Sequence, residues 1–334
     1  YGGYICRSWS AAFVSRQYGM MMDYIVAGYN MLTDIYYADG STLENSPGGS
    51  FYSASGVKFW RDSVAYVGTA GPDFDTWYGD WFRKNRIDCR VIPCLPHTLK
   101  YTLEYRPDGI WSERCLYGDD YERMAKDVGR ITPEMFAACA DENTKGIYIE
   151  ASLSAKIADH FREVKRLIPH GVLMWEINGD DLRDPQARDA INRRIGQVDA
   201  FSMNFDEATG FFGTDDKDAI LHALAAYQKP CFFRQGELGS GIICGEKAVF
   251  APAVGVENSV DPTGCGNCST AAAMVGLAEG KSYEETSAMA NIAAAYCAGQ
   301  FGPFREVTAQ SRAEACRQLD DYMRHDPFVY GRLL

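Results

Sequence analysis

The stretch Asp261-Pro-Thr-Gly-Cys-Gly-Asn-Cys-Ser-Thr holds the densest set of chemically useful groups in the chain. Gly264 and Gly266 let the backbone bend tightly and present N–H groups with no side chain in the way. From Cys268 to Glu279 the residues are small and suited to a helix, and Gly280 is a natural stop. A helix opening directly out of the glycine turn adds its own unpaired N–H groups and the positive end of its dipole. Together these make an anion hole, fit for a phosphate or for the charge that develops on a phosphoryl group in transfer. Cys265 and Cys268 form a C-x-x-C at the same helix start, where a thiolate would be stabilised. A redox pair is one reading of these thiols; small residues in Ala- or Ser-like positions is the other. No second Cys or His pair lies at zinc-ligand spacing.

Those amides need elements to hold them. Val254-Gly-Val-Glu-Asn-Ser-Val260 is β-branched enough to predict a strand leading into the turn. Ala271-Ala-Ala-Met keeps the following helix slim, so that it can pack close against a sheet. Further strands are predicted at Asp23–Gly28, Ser63–Gly68, Lys145–Ile149, Gly171–Asn178, Ala200–Asn204 and Pro230–Arg234. Helices are predicted at 77–85, 154–167, 185–195, 282–298 and 308–323. The βαβ rhythm from Thr132 onward predicts a parallel sheet with helices on both faces. Asp39-Gly40 is a hairpin signal, and the alternation of Tyr101, Leu103 and Tyr105 suggests a sheet with one solvated face over residues 89–116. Asn204-Phe-Asp-Glu207 has the spacing of a helix capping box. Tyr1–Met22 reads as an extension outside the fold, and residues 23–334 as one domain.

Bulk properties narrow the partners. The formal net charge of −12 argues against general binding to nucleic acid or to anionic membranes. An anionic nucleotide would therefore need a local site such as the one above. No apolar run approaches the roughly 20 residues that span a bilayer. The 11 cysteines are scattered and odd in number, which points to free thiols in a reducing cytoplasm.

The order of motifs resembles that of the ribokinase-like carbohydrate kinases, the PfkB family. The C-terminal signature of that family usually reads Asp-Thr-x-Gly-Ala-Gly-Asp; Asp261, Thr263, Gly264 and Gly266 fit it, and Asn267 stands where the final Asp is the family's catalytic base. Pro47-Gly-Gly-Ser-Phe-Tyr-Ser is similar to its N-terminal signature, so the resemblance puts Gly48, Gly49 and Ser53 in the substrate pocket. Asn is common there where Ser53 stands. Asp34 falls where the family has an Asp that holds substrate hydroxyls, and a carboxylate can accept from two of them. Asn204 and Glu207 match its Asn-x-x-Glu, which organises Mg2+ and phosphate oxygens; hard oxygens suit that ion. Gln235, Gly236 and Gly239 resemble the Thr-x-Gly-x-x-Gly loop beside the nucleotide, and Ala290-Asn291 the Ala-Asn near adenosine. Asn291 reads equally as an exposed helical residue, and Asn204 with Glu207 as a cap alone.

What the resemblance implies is an α/β fold, a ribokinase-like three-layer sandwich with a mainly parallel central sheet and a small β lid from segments near 35–47 and 90–118. A lid that pairs edge to edge would make a homodimer. The implied activity is ATP- and Mg2+-dependent phosphorylation of a sugar or nucleoside hydroxyl, with the amides of Gly264, Cys265 and Gly266 on the transferred group and Asp261, like Glu207, near the metal. Asn267 cannot take the hydroxyl proton, because its amide accepts through oxygen only and is not basic. Two readings stay open: a kinase with another proton acceptor, such as Asp34, Asp261 or the phosphate itself, or a silent binder of sugar or nucleotide. A dinucleotide-binding oxidoreductase fits less well, since Ser269 replaces the last glycine of G-x-G-x-x-G.

Overall fold

A computed structural model of the chain describes residues 20–28, 30–108 and 110–332. The chain runs β1 (Tyr24–Ala27), β2 (Asn30–Tyr36), β3 (Thr42–Gly49), α1 (Ser50–Trp60), β4 (Val64–Ala70), α2 (Phe74–Asn85), β5 (Asp88–Pro93), β6 (Leu99–Tyr105), β7 (Trp111–Cys115), α3 (Asp119–Val128) and α4 (Pro133–Ala137). It continues through β8 (Gly146–Ala151), α5 (Phe161–Leu167), β9 (Val172–Ile177), α6 (Gly179–Arg183), α7 (Arg188–Ile195), β10 (Ala200–Asn204), α8 (Phe205–Phe212) and α9 (Lys217–Ala225). Last come β11 (Cys231–Arg234), β12 (Ser240–Cys244), β13 (Lys247–Ala251), α10 (Cys265–Ala278), α11 (Tyr283–Ala298), α12 (Ala309–His325) and β14 (Val329–Arg332).

Ten strands form the large sheet in the order β14-β13-β12-β11-β10-β9-β8-β1-β4-β5. Every pairing from β5 to β11 is parallel, and β12, β13 and β14 add an antiparallel edge. The strands are apolar at nearly every position because helices cover both faces. Neighbouring side chains enter opposite cores, as the two-residue period requires. Ile25, Ala27, Ile147 and Ile149 pack on one side, and Tyr24, Val26 and Tyr148 on the other. A second sheet, β3-β2-β6-β7, is separate and smaller. The chain enters it through Gly28 and leaves it straight into α1.

Helix α1 is buried along its whole length. It lies so close to α10 that a Cβ on Gly56 would sit 2.1 Å from the Cys268 carbonyl oxygen. The small residues of α10 therefore serve helix–helix contact as much as contact with the sheet.

Several expectations need correction. Val254–Val260 is not a strand: Gly255 at φ +65° turns the chain, and Val256–Asn258 is a short 3-10 turn. Its β-branched residues are partly exposed or exposed, so no sheet face holds them. The strand at Asp88–Pro93 pairs in parallel with β4 in the large sheet, so the second segment of the small sheet starts at Leu99 rather than near 90. Residues 154–167 open with a 3-10 turn at Lys156–His160 before α5 begins. The proposed extension 1–22 falls mostly outside the described residues, but its end belongs to the fold. Met22 is 7% exposed and packs in the core. Its carbonyl accepts from Thr144, and the Met20 carbonyl accepts from Arg90.

Candidate active site

Helix α10 begins at Cys265, and among the described residues no side chain caps it. Gly264 precedes it at φ +77°, where a Cβ would strike the Tyr52 ring at 2.1 Å. The turn is thus built around a missing side chain; the Cys265 amide donates to the Pro262 carbonyl at 3.2 Å, so the anion-binding character rests on the amides of Gly266 and Asn267. One cation faces them. Arg234, at the end of β11, brings Nη1 to 2.2 Å from where a Cβ on Gly266 would be. Its guanidinium lies 3.3 Å from Glu176 Oε1 and 3.3 Å from Glu207 Oε2. Burial works against its charge, but the two carboxylates hold it above its ordinary value. Burial likewise pushes Glu207 up, against the pull of Arg234.

Asn204 and Glu207 form a reciprocal cap on α8. The Glu207 amide donates to Asn204 Oδ1 at 2.8 Å, and the Asn204 amide donates to Glu207 Oε2 at 2.7 Å. Asp261 is only 1% exposed and also committed. Its Oδ2 accepts from Tyr37 Oη at 2.8 Å, and its Oδ1 from the Thr263 amide at 2.9 Å. Among the described residues no three of His, Cys, Asp and Glu gather as a metal-ligand group. Asn204, Glu207 and Asp261 do not form a cage of direct ligands, but each carboxylate keeps free lone pairs beside those bonds, so Glu207 and Asp261 fit an ion reached through its waters.

The small sheet reaches this loop through two tyrosines. Tyr37 holds Asp261, and Tyr105 Oη lies 2.9 Å from Thr263 Oγ1. The two rings stack at 5.8 Å, and Phe301 packs edge-on against Tyr37 at 5.4 Å.

A narrow cavity lies at the carboxyl ends of β1, β4 and β8. Gly28, Asn30, Thr69, Leu99, Arg130 and Glu150 line it. Asn30 donates to the Thr69 carbonyl at 2.8 Å and accepts from Tyr66. Asp34 is not on this wall. It pairs with Lys100 Nζ at 2.8 Å within the small sheet and accepts from the Asn45 amide at 2.8 Å. Gly48 packs on Thr33, Gly49 turns the chain into α1 at φ +60°, and Ser53 is wholly buried beside Tyr148. These three shape the support of the cavity rather than its lining.

Gln235, Gly236 and Gly239 form a tight link between β11 and β12, closed by the Gln235 amide on the Gly239 carbonyl at 2.8 Å. Asn291 is neither exposed nor free. Its amide accepts from Ser240 Oγ at 2.7 Å and donates to the carbonyls of Ala251 at 2.8 Å and Pro252 at 3.1 Å. Hydrogen bonding to Cys297 and burial push the Cys265 thiol up, which is opposite to what a reactive thiolate needs.

Two carboxylates escaped the sequence reading. Glu150 lies near the end of β8 and Glu176 near the end of β9. Tyr148 Oη donates to Glu176 Oε2. Glu150 lines the cavity, and the Asn267 side chain acts on its carboxyl, favouring the ionised form. The available signal was an acidic residue closing the apolar run Gly146-Ile-Tyr-Ile, since strand ends in such sheets face the ligand crevice.

Comparison with known proteins follows the same lines. Residues 19–308 match the profile of the pfkB family carbohydrate kinases. Over 83 residues the chain is 41% identical to the ribokinase of Bacillus subtilis (strain 168), a match that takes in 25% of this chain and 28% of that protein. It therefore spans well under two thirds of that relative. The adenosine kinase from Sinorhizobium meliloti gives a TM-score of 0.70 at 23% identity, covering 89% of this chain and 99% of the other. An E. coli protein solved in complex with ATP and Mg2+ gives 0.68 at 15% identity, covering 91% and 100%. The fold is the ribokinase-like sandwich of three layers, with its separate small sheet.

Proposed function

This chain belongs to the pfkB family of carbohydrate kinases, and from that premise we propose that it transfers a phosphoryl group from ATP to a hydroxyl of a sugar or nucleoside. The observation that carries the reading is the uncapped start of α10 with the Arg234 guanidinium set against Gly266. Phosphoryl transfer passes through a loose transition state, so the protein contributes mainly position and charge. The α10 amides and its dipole stabilise the equatorial oxygens of the transferred group. Arg234 adds a fixed positive charge, oriented by Glu176 and Glu207 so that little reorganisation is needed. The acceptor lies in the cavity against Asn30 and Glu150. Tyr37 and Tyr105 hold the small sheet over the loop and exclude water, which would otherwise hydrolyse ATP.

Mg2+ bound with the nucleotide would neutralise phosphate charge, and Glu207 and Asp261 would reach it through its waters. A second reading, binding without transfer, is favoured by one feature, the non-basic Asn267. The two separate in one experiment, in which the purified protein is given Mg-ATP and a panel of sugars and nucleosides. The expected result is a phosphorylated product from at least one acceptor. Thermal stabilisation by ligands with no product across the panel would sink the transferase reading, since a ligand that binds only the native state raises its stability whether or not it reacts.

A further inference from the structure

Asn267 cannot act as a base, so what its amide touches decides what the site can still do. It touches Glu150. That carboxyl lines the acceptor cavity at the end of β8, and its Oε2 is shielded from solvent with no hydrogen-bond partner among the described residues. Gly28 makes room for it: a Cβ there would lie 3.0 Å from Glu150 Cβ and 3.1 Å from Oε2. A buried acceptor without a partner is costly, and a purely structural role does not explain it. The place it occupies is one side chain away from the start of the anion-binding helix.

We propose that Glu150 is the catalytic base of this site, taking the proton of the acceptor hydroxyl, and that Asn267 is the residue that positions it. The proposal rests on the transferase reading above. In the step, the acceptor oxygen forms a bond to the terminal phosphorus of ATP while the bond from that phosphorus to the β,γ-bridging oxygen breaks. ADP leaves with the electron pair. The hydroxyl proton passes to Glu150, which returns it to solvent after product release.

The charged groups around Glu150 set its proton affinity. Glu176 on β9 and Glu113 on β7 present negative charge, Arg234 on β11 positive charge, and Tyr66 and Tyr148 neutral phenols. Burial above all, and then Glu176, push the carboxyl up to about 8, while Asn267 and Arg234 pull it down. A base with that affinity is better matched to an alcohol than an ordinary carboxylate is. Below that pH the carboxyl keeps its proton and cannot accept another, so transfer rises with pH through about 8.

The test compares wild type, Glu150→Gln, Asn267→Asp and the double variant Glu150→Gln/Asn267→Asp, with Mg-ATP and an acceptor that wild type phosphorylates. Glu150→Gln is expected to lower kcat by about 10²–10⁴-fold, leave the acceptor KM nearly unchanged and abolish the rise near pH 8. The double variant is expected to recover more than tenfold of that loss, with its pH limb moved to the acid side. If Glu150→Gln raises KM and keeps kcat, Glu150 only binds the acceptor and the proposal falls while the transferase reading stands. Failure of the double variant to recover overturns it too. A wild type that transfers to no acceptor overturns both. Independently of turnover, the infrared carbonyl band of a protonated carboxyl should vanish as pH rises through about 8 and be missing in Glu150→Gln; a wild type without that band overturns the proposal.

Discussion

The donor side and the acceptor side of this site are built by different means. The anion loop is one continuous stretch, and its working groups are backbone amides exposed by glycines. The acceptor cavity is assembled from single side chains at the ends of strands far apart in sequence: Asn30 after β1, Thr69 in β4 and Glu150 in β8. A backbone site is written into local residue order, because only a few sequences can make the turn. A side-chain site depends on which strands become neighbours, and that is settled by the whole sheet. The difference also affects tolerance. A backbone site fails when a side chain is added, and a side-chain site when one is changed.

The largest effect should come from adding a Cβ to the donor loop. Gly264→Ala places a methyl group into the Tyr52 ring and an L-residue at φ +77°. Strained backbone costs about 1–3 kcal/mol, and overpacking against a buried ring costs a similar amount again. Thermal melts should show the loss, and nucleotide should no longer stabilise the variant. Normal nucleotide binding by Gly264→Ala would show that the amides of this turn do not hold the phosphate, and the contrast between the two sides would be lost.

Much of the donor side was legible for that reason. The turn at Gly264 stands as read, and so does the reciprocal cap of Asn204 with Glu207, whereas Gly266 lies inside α10, which starts at Cys265 rather than Cys268. The strand expected at Val254–Val260 failed because β-branched content speaks for a sheet only if a neighbour offers an edge, and Gly255 turns the chain away. Arg234 was passed over as the last residue of a strand. Its importance comes from Glu176 and Glu207, which reach it from β9 and from the first turn of α8, and no local pattern joins those three. Glu150 was hidden in the same way. The reading of Asn291 as an exposed residue fails, since it is buried and its amide pins β12 against the turn after β13.

Arg234 is the point where the donor side stops being backbone alone. Arg234→Met would leave Glu176 and Glu207, 8% and 13% exposed at their side chains, without a cation. Breaking a buried pair by removing one partner costs about 3–5 kcal/mol. Glu207 already sits above the ordinary carboxylate range through burial, and removing Arg234 raises it further. A carboxylate raised in the folded state is a liability when ionised, so the deficit should be full at neutral pH and shrink as pH falls and the group protonates. Denaturant titrations across acid and neutral pH check the sign. A deficit that grows toward acid pH would mean that the guanidinium is not held by these carboxylates.

A smaller effect is expected where the two sides join. Tyr37→Phe removes the hydroxyl that donates to Asp261 Oδ2 and leaves a buried carboxylate oxygen unpaired, at about 1–3 kcal/mol. The ring stack with Tyr105 and the edge contact with Phe301 should survive, so the small sheet keeps its shape while its tie to the loop weakens. ATP hydrolysis in the absence of acceptor should rise relative to transfer, because water reaches the loop more often. An unchanged ratio would detach the small sheet from any sealing role.

Asp34 gives the smallest expected effect. If Asp34 held substrate hydroxyls, losing its charge would remove charged hydrogen bonds worth about 1.5–3 kcal/mol, and the acceptor KM would climb by about tenfold or more. The structure instead turns Asp34 to Lys100 and Asn45, away from the cavity wall. Asp34→Asn keeps an oxygen for the Asn45 amide and loses only the ion pair, while Lys100 retains Asn45 Oδ1 at 2.9 Å. The acceptor KM should therefore change by less than about tenfold, a difference under about 1.4 kcal/mol. The same measurement on Asn30→Ala should exceed it, since Asn30 lines the cavity and ties β2 to Thr69. If the order of the two variants were reversed, the acceptor would lie under the small sheet rather than at the strand ends, and the acceptor side would have to be redrawn around Asp34 and Lys100.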